Sequence, residues 1–213
     1  MFDHILLLIA AYLTGSISSA VWVGKLFYNK DVREYGSGNA GATNTFRVLG
    51  KNAGIPVLLM DIMKGWFSVH YVVFLGDSNL FAVDYYSANF EIQLTLGIAA
   101  ILGHLFPIYT GFRGGKGIAT MLGILLALHT WAALFCVFVF ILIFLMFKYI
   151  SLASIVSSLF FPISIFFMFD TISDSLNLFS IFVPILSLIT HQKNIERLFR
   201  GEENKYTFGK NKL

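Results

Sequence analysis

Residues 118–147 decide the fold. They read IATMLGILLALHTWAALFCVFVFILIFLMF, 30 consecutive residues without a charged side chain. A helix needs about 20 residues to cross the ~30 Å hydrocarbon core of a bilayer. As one helix the stretch would be about 45 Å long. It is therefore too long for one ordinary span and short for two, and its flanking charges must decide.

Those charges indicate two helices. If the stretch turns near His129, the chain has seven crossings, and 14 of its 15 Lys and Arg residues fall on one side of the membrane. A single long helix would instead leave the basic C-terminal tail outside, against the positive-inside rule. If the stretch turns there, the charged residues on the opposite side are all acidic, namely Asp3, Asp77, Asp84, Glu91, Asp170 and Asp174.

The composition agrees with an integral membrane protein. Apolar residues make up 57% of the chain and charged residues 13%, against about 45–50% and 25% in soluble domains. We therefore predict an all-α integral membrane protein of seven transmembrane helices, forming a single domain over residues 1–213. Its N-terminus lies outside and its C-terminus in the cytoplasm. Because the basic residues flank lipid-length apolar runs, they are interpreted as topology signals rather than a nucleic-acid surface.

The fourth predicted helix is unusually short. It runs from Gly117 to Leu128, which gives a length of about 18 Å, so the loop Thr110 to Lys116 is expected to sink below the cytoplasmic interface. Irregular backbone at that depth is tolerated where it packs in protein or lines a wet cavity. The other predicted spans are Ile5 to Val23, Ala53 to Leu75, Ile92 to Ile108, Leu152 to Phe169 and Leu176 to about Thr190.

Three polar segments, all on the predicted cytoplasmic side, carry the unusual chemistry. The first segment (residues 35–47, YGSGNAGATNTFR) combines three glycines with neutral donors and Arg47. Backbone N–H groups that converge in such a stretch suit a phosphate or another oxyanion. Its match to GxGxxG is weak, because a membrane helix rather than a strand precedes it. A flexible connector is the alternative.

The second segment (residues 103–117) reads GHLFPIYTGFRGGKG and places Lys116 at the entrance of the short helix. A helix N-terminus and a lysine together favour an anion. The segment is not a Walker A loop, because Thr110 and Gly117 stand where that motif needs a glycine and a hydroxyl residue. His104 alone would more often be a packing histidine than a catalyst.

The third segment (residues 191–201) begins HQKNIER at the end of the last predicted span. His191 and Asn194, three residues apart, share one helical face. A basic tail beyond them would suit anionic lipid. A further pair, Asp61 and Lys64, lies inside the second predicted span, where ions are costly and usually paired. We weigh a structural ion pair and a direct role equally.

Together the three segments resemble the bacterial acyl-phosphate-dependent glycerol-3-phosphate acyltransferases, the PlsY family. The resemblance rests on GSGNAGATNTFR at 36–47, GHLFP through FRGGKG at 103–117, and HxxNIxRLxxG at 191–201. It extends from Gly15 to about Glu203 and includes DxxKG at 61–65. Three long motifs in this order are highly specific, unlike the short patterns rejected above.

The resemblance implies transfer of a fatty acyl group from a long-chain acyl phosphate to the 1-hydroxyl of glycerol 3-phosphate. The products would be lysophosphatidic acid and phosphate, at the cytoplasmic face of the bacterial cell membrane, with membrane lipid as the other partner. It implies no cofactor, and no carboxylate cluster exists to hold a metal. The implied catalytic residues are Ser37, Arg47, Lys116, His191 and Asn194. The implied substrate- and phosphate-binding residues are Gly38, Asn39, Gly41, Thr43, Asn44, His104, Gly114 and Gly115.

A transporter for a phosphorylated solute is the alternative from another functional class. It too would place cations beneath the membrane surface. Many transporters contain internal repeats with broken helices in corresponding positions, and no second copy of any segment occurs in this sequence. Accumulation of unmodified glycerol 3-phosphate inside vesicles would favour transport.

Overall fold

The computed structural model describes residues 2–75, 88–169 and 173–206, and within these ranges it contains helices and turns but no strand. The prediction of an all-α protein is therefore confirmed for this part of the chain. Asp77, Asp84, Asp170, Lys210 and Lys212 lie outside the described residues. The helices are α1 (Phe2–Gly15), α2 (Ser19–Tyr28), α3 (Ala42–Leu49), α4 (Lys51–Val69), α5 (Ala88–Leu105), α6 (Ile118–Leu128), α7 (Thr130–Phe147), α8 (Ile150–Phe167), α9 (Asp174–Thr190) and α10 (Gln192–Phe199).

The long apolar stretch is divided where the charges predicted. Helix α6 ends at Leu128 and α7 begins at Thr130, with His129 between them. The His129 side chain accepts a hydrogen bond at 3.2 Å from the backbone N–H of Ala132, so it caps α7. Helix α6 has 11 residues, about 17 Å, which confirms the short fourth helix. The chain forms two compact units, Met1–Leu128 and His129–Leu213.

The first predicted span is wrong as one straight helix. Helices α1 and α2 meet at a 47° bend, and Ser16 to Ser18 separate them. The Ser16 hydroxyl donates to the Tyr12 carbonyl at 2.8 Å, and Lys64 Nζ donates to the Ile17 carbonyl at 2.8 Å. Side-chain bonds of this kind compete with the helical ladder and take up the backbone groups that a break exposes.

Length and composition identify fewer spans than the sequence predicted. Among the described residues, three helices qualify, Phe90–Thr110, Thr130–Phe147 and Ile150–Phe167, and the number rises to five if α1 with α2 and α9 with α10 each count as one bent span. Seven crossings require α4 and α6 as well. The second predicted span also changes character, because α4 ends at Val69 and a 3₁₀ helix follows over His70–Leu75.

Close backbone contacts hold α4 and α6 together in the N-terminal unit. A methyl group added at Gly65 would overlap the Thr120 carbonyl, and one added at Gly123 would overlap the Ile62 carbonyl. Only glycine permits so short a distance between the two backbones. Helix α4 therefore lies directly against the helix that follows Lys116.

Candidate active site

The first segment folds around one buried amide. Asn44, 2% exposed, places Nδ2 2.7 Å from the Val32 carbonyl and 3.1 Å from the Tyr35 and Asn39 carbonyls, and these three acceptors share its two hydrogens. Its Oδ1 accepts from the backbone N–H of Ser37 at 2.9 Å. Gly36 adopts a positive φ of 63°, and a Cβ there would overlap this same oxygen. Asn44 thus holds the loop in place.

The remaining predicted residues of this segment lie around Asn44. Ser37, Gly38 and Thr43 are exposed, and Asn39 and Gly41 are half-buried. Arg47 is also exposed, and it lies in the last turn of α3. The loop expected for residues 35–47 is therefore correct only up to Gly41, because Ala42 to Leu49 form a helix.

The second segment lies beside the first. The backbone N–H of Gly115 donates to the His104 carbonyl at 3.2 Å. A Cβ at Gly115 would overlap His104 Nε2 and lie 3.1 Å from the Ala40 carbonyl, so Gly115 fills the space between the two segments. Arg33, two residues before the first segment, donates from Nη1 to the Thr110 carbonyl of the second segment at 2.8 Å. Lys116, the residue after Gly115, is half-buried.

An acidic residue precedes the first segment. Asp31 lies 2.8 Å from Arg33 and 3.2 Å from Lys25. The hydrogen bond from the Arg33 side chain holds the pKa of Asp31 well below its ordinary value, although partial burial acts in the opposite direction. The carboxylate is therefore charged at neutral pH and balances the Arg33 guanidinium, which donates to the second segment.

A buried polar network lies behind the second segment. Asp61 and Lys64, 1% and 6% exposed, form the predicted ion pair at 2.8 Å. Ser19 donates to Asp61 Oδ1 at 2.9 Å. His104 Nδ1 lies 3.0 Å from the Thr120 hydroxyl and 3.9 Å from Asp61 Oδ1. His104 therefore contacts the buried network through one ring nitrogen and Gly115 through the other edge.

The third segment belongs to the C-terminal unit. His191 lies at a 64° bend between α9 and α10, so the last predicted span ends near Thr190 as expected and a separate short helix follows. His191, 3% exposed, places Nδ1 2.9 Å from the Ser187 carbonyl. Because a carbonyl only accepts, Nδ1 carries a hydrogen in this contact. The backbone N–H of Asn194 donates to the His191 carbonyl at 2.8 Å, which keeps the two residues on one turn.

One carboxylate holds this turn. Glu203 Oε1 accepts from Asn194 Nδ2 at 2.7 Å and from the Ser151 hydroxyl at 2.8 Å, and Oε2 accepts from Arg197 Nε at 2.7 Å. Its side chain is 6% exposed. Burial raises the pKa of Glu203, but the hydrogen bonds from Arg197, Asn194 and Ser151 outweigh burial and lower it overall. Glu203 is therefore a charged acceptor at neutral pH.

Comparison with known proteins gives one consistent result. A family model described as glycerol-3-phosphate acyltransferase matches residues 5–201. The glycerol-3-phosphate acyltransferase of Enterococcus faecalis (strain ATCC 700802 / V583) is 39% identical over 212 residues, covering 96% of this chain and 93% of the relative. That of Staphylococcus aureus (strain Newman) is 42% identical over 201 residues, covering 94% and 96%.

Two solved structures agree. The crystal structure of PlsY (YgiH), an integral membrane glycerol 3-phosphate acyltransferase, matches in its glycerol 3-phosphate form with a TM-score of 0.83 and 34% identity, covering 96% of both chains. Its lysophosphatidic acid form matches with a TM-score of 0.78 and 32% identity, covering 96% of this chain and 95% of that one. The chain belongs to the glycerol-3-phosphate acyltransferase family. The predicted family and enzyme class are confirmed.

The predicted site residues of this acyltransferase fall into two groups. The N-terminal unit brings the first and second segments together at Gly115, beside Lys116, while His191 and Asn194 belong to the C-terminal unit. Across the described residues, no group of three His, Cys, Asp or Glu side chains could hold a metal ion.

Sequence reasoning missed two side chains of this acyltransferase that contact predicted site residues, Glu203 beside Asn194 and Thr120 beside His104. Glu203 follows Glu202 in the sequence, and no pattern distinguishes the half-buried acid from its exposed neighbour. Thr120 lies in an apolar helix, where a threonine is unremarkable by composition. Its position near the start of α6, 16 residues after His104, is the one signal that relates it to the second segment.

Proposed function

We propose that this acyltransferase uses acyl phosphate as donor and acylates the 1-hydroxyl of glycerol 3-phosphate to give lysophosphatidic acid and phosphate. The observation that carries this proposal is the contact at Gly115. It brings the first segment, in which Ser37, Thr43 and Arg47 are exposed, beside a half-buried lysine. Such a site suits phosphate groups, and each of the two substrates brings one.

The proposed reaction is direct attack. Acyl phosphate is an activated mixed anhydride, so the glycerol oxygen forms a bond to the acyl carbon while the bond between that carbon and the phosphate oxygen breaks. Fixed positive charge supplies most of the acceleration. Arg47 binds phosphate with its planar fork, and Lys116 binds as a compact point charge. The hydrogen-bond donors around these two cations are supplied or shaped by residues of the first and second segments, namely Ser37, Gly38, Asn39, Gly41, Thr43, Gly114 and Gly115.

His191 and Asn194 orient the acceptor in this proposal. Both residues are held in place, because His191 Nδ1 lies 2.9 Å from the Ser187 carbonyl and Glu203 accepts a hydrogen bond from Asn194 Nδ2. The proton of the attacking hydroxyl passes to a substrate phosphate, with His191 in a binding role. Asn44 is also a predicted phosphate ligand, but its amide donates to three backbone carbonyls, so we propose that it shapes the loop.

The donor is tested by incubating purified protein with glycerol 3-phosphate and either palmitoyl phosphate or palmitoyl-CoA. We expect lysophosphatidic acid with palmitoyl phosphate only, together with one phosphate released per molecule of product. The Lys116→Ala variant serves as the control for contaminating activity. Comparable turnover with both donors would exclude dependence on acyl phosphate.

The proposed topology is a single domain with seven crossings, the N-terminus outside and the site facing the cytoplasm of a bacterial cell. It is tested by labelling single cysteines in a Cys136→Ala background. The Thr130→Cys variant should be labelled from outside the cell, whereas the Arg113→Cys and Lys205→Cys variants should be labelled only from the cytoplasm. All three native residues are exposed, so accessibility to the reagent does not bias the comparison. Labelling of Lys205→Cys from outside would contradict seven crossings.

A further inference from the structure

One buried hydrogen bond joins the two ends of the turn that carries Lys116. His104 lies in the last turn of α5, before the turn, and Thr120 lies in the first turn of α6, after it. The Thr120 hydroxyl and His104 Nδ1 are 3.0 Å apart. Thr120 is fully buried and His104 is 6% exposed. The bond therefore fixes the distance between the residues on either side of the turn.

Both partners are supported by α4. A Cβ at Gly65 would overlap the Thr120 carbonyl, so the backbone of α4 lies directly against Thr120. Asp61 Oδ1 lies 3.9 Å from His104 Nδ1 and is itself held by Lys64 at 2.8 Å. A hydrogen bond in such a dry, packed environment is stronger than one in water.

The His104 carbonyl and the ring edge that faces away from Thr120 both contact Gly115, the residue before Lys116. The His104 carbonyl accepts from the backbone N–H of Gly115 at 3.2 Å, and its ring lies against the Gly115 backbone. Gly115 in turn packs against the Ala40 carbonyl of the first segment. A rotation of the His104 ring would therefore displace Gly115, and with it Lys116, relative to the first segment.

We infer that the Thr120–His104 hydrogen bond is a positioning device that sets the place of Lys116 relative to the first segment. Thr120 and His104 act through the backbone of Gly115. This inference rests on the proposed role of Lys116 in binding phosphate. The bond consequently governs the affinity for a phosphate-bearing substrate.

The test compares two substitutions at one position. Thr120→Val keeps the shape and removes the hydroxyl, whereas Thr120→Ser keeps the hydroxyl and removes a methyl group. Loss of a buried hydrogen bond that acts on binding should raise KM for glycerol 3-phosphate, acyl phosphate or both by about fivefold to tenfold in Thr120→Val. Thr120→Ser should stay within about twofold of the native values, because its hydroxyl still reaches His104.

A matched control lies on α5. Thr95 donates to the Glu91 carbonyl of its own helix, away from the second segment, so Thr95→Val makes the same chemical change without touching His104. KM for both substrates should be unchanged in this variant. All variants are compared at equal amounts of folded protein, with melting temperatures recorded in detergent.

The outcomes separate this inference from the proposed function. If native protein releases no phosphate from acyl phosphate and glycerol 3-phosphate, the proposed function itself fails. If native protein is active but Thr120→Val keeps native KM values, the positioning inference alone is overturned. A melting temperature that falls equally in Thr120→Val and Thr120→Ser, with KM unchanged, would assign Thr120 a purely structural role. Equal rises of KM in Thr120→Val and Thr120→Ser would also overturn the positioning inference, because the Thr120 hydroxyl would then make no difference to KM.

Discussion

The two groups of predicted site residues, one in each compact unit, are held in place by different means. In the N-terminal unit, backbone carbonyls, one buried amide and glycine contacts hold the first and second segments. In the C-terminal unit, the carboxylate of Glu203 holds Asn194, Arg197 and Ser151 at once. The first arrangement leaves no space for an added methyl group at Gly115. The second depends on a single charge.

The difference has a physical reason. A loop that binds phosphate must present backbone N–H groups and allow close approach, and glycines provide both. A histidine and an asparagine act through side chains, which need fixed orientations, and a charged acceptor gives stronger hydrogen bonds than a neutral one. The N-terminal part should therefore be sensitive to added volume and the C-terminal part to lost charge.

The largest expected effect is loss of the Lys116 charge. Lys116→Ala should lower kcat/KM by about a hundredfold or more, as removal of one preorganised donor does elsewhere. Lys116→Arg should also fail, because the larger head crowds the glycines on either side. Phosphate release measured at equal folded protein tests both. A near-native rate for Lys116→Arg would remove Lys116 from the catalytic residues.

Arg47 should depend on geometry as well as charge. Arg47→Lys keeps the charge but loses the planar fork that we propose binds two phosphate oxygens. We expect kcat/KM to fall by about tenfold or more, because a bidentate pair is worth well over one ordinary hydrogen bond. The same phosphate-release assay applies. If Arg47 serves only topology or lipid binding, charge alone matters and Arg47→Lys should behave as native.

Added volume at Gly115 is the next test of the comparison. Gly115→Ala inserts a methyl group where His104 and the Ala40 carbonyl already meet, and overpacking typically costs about 1–3 kcal/mol. We expect phosphate release to fall by about tenfold. Gly111→Asn is the control, because nothing lies within 4 Å of a Cβ there and asparagine tolerates the positive φ. Equal loss in both variants would show that the close contact at Gly115 is not the cause.

Loss of charge at Glu203 tests the C-terminal part. Glu203→Gln leaves an amide facing the donors of Asn194 and Arg197, so the free energy of unfolding should fall by about 1–3 kcal/mol. The lowered pKa of Glu203 means that its contribution is present above the ordinary value of 4.5 and is lost as pH falls through the folded value below it. The difference in melting temperature between native protein and Glu203→Gln should therefore shrink below about pH 4.5. The exposed Glu202→Gln is the matched control, and an equal change in that variant would contradict the assignment.

The smallest effect is expected on α10 itself. Arg200 and Glu196 form an ion pair four residues apart, with side chains 62% and 58% exposed. Exposed pairs contribute little because water and salt screen them. Arg200→Gln, which breaks this exposed pair, should leave the melting temperature and phosphate release unchanged. This result would show that the effect of Glu203→Gln comes from the burial of its carboxylate and not from the loss of any ion pair.

Some of this architecture follows from sequence because it depends on local pattern. A 30-residue apolar run cannot be one span, and its division at His129 follows from the distribution of charge. The buried pair of Asp61 and Lys64 follows from the cost of unpaired ions in an apolar helix. The three segments are recognisable because glycines and polar residues interrupt otherwise apolar sequence.

The remaining features depend on contacts between distant residues. The break after Gly15 lies in an apolar run, and the partner that takes up the Ile17 carbonyl is Lys64, 47 residues later. The inward orientation of Asn44 depends on the fold of the preceding loop, which places the Val32, Tyr35 and Asn39 carbonyls around its amide. Glu203 acquires its role only when the chain after α10 returns to Ser151 on α8.

The break after α1 has a consequence for how the chain enters the membrane. Synthesis proceeds from the N-terminus, so the Ile17 carbonyl is delivered before α4 exists. Lys64 and Asp61 lie one helical turn apart, and in the seven-helix proposal α4 brings its own counterion instead of waiting for one from a later helix. A lone ion at the bilayer centre costs about 2.5–3.5 kcal/mol during insertion, and ions inside a membrane are therefore usually paired. In that proposal the Ile17 carbonyl acquires its Lys64 partner only after α4 has followed the first span along the chain.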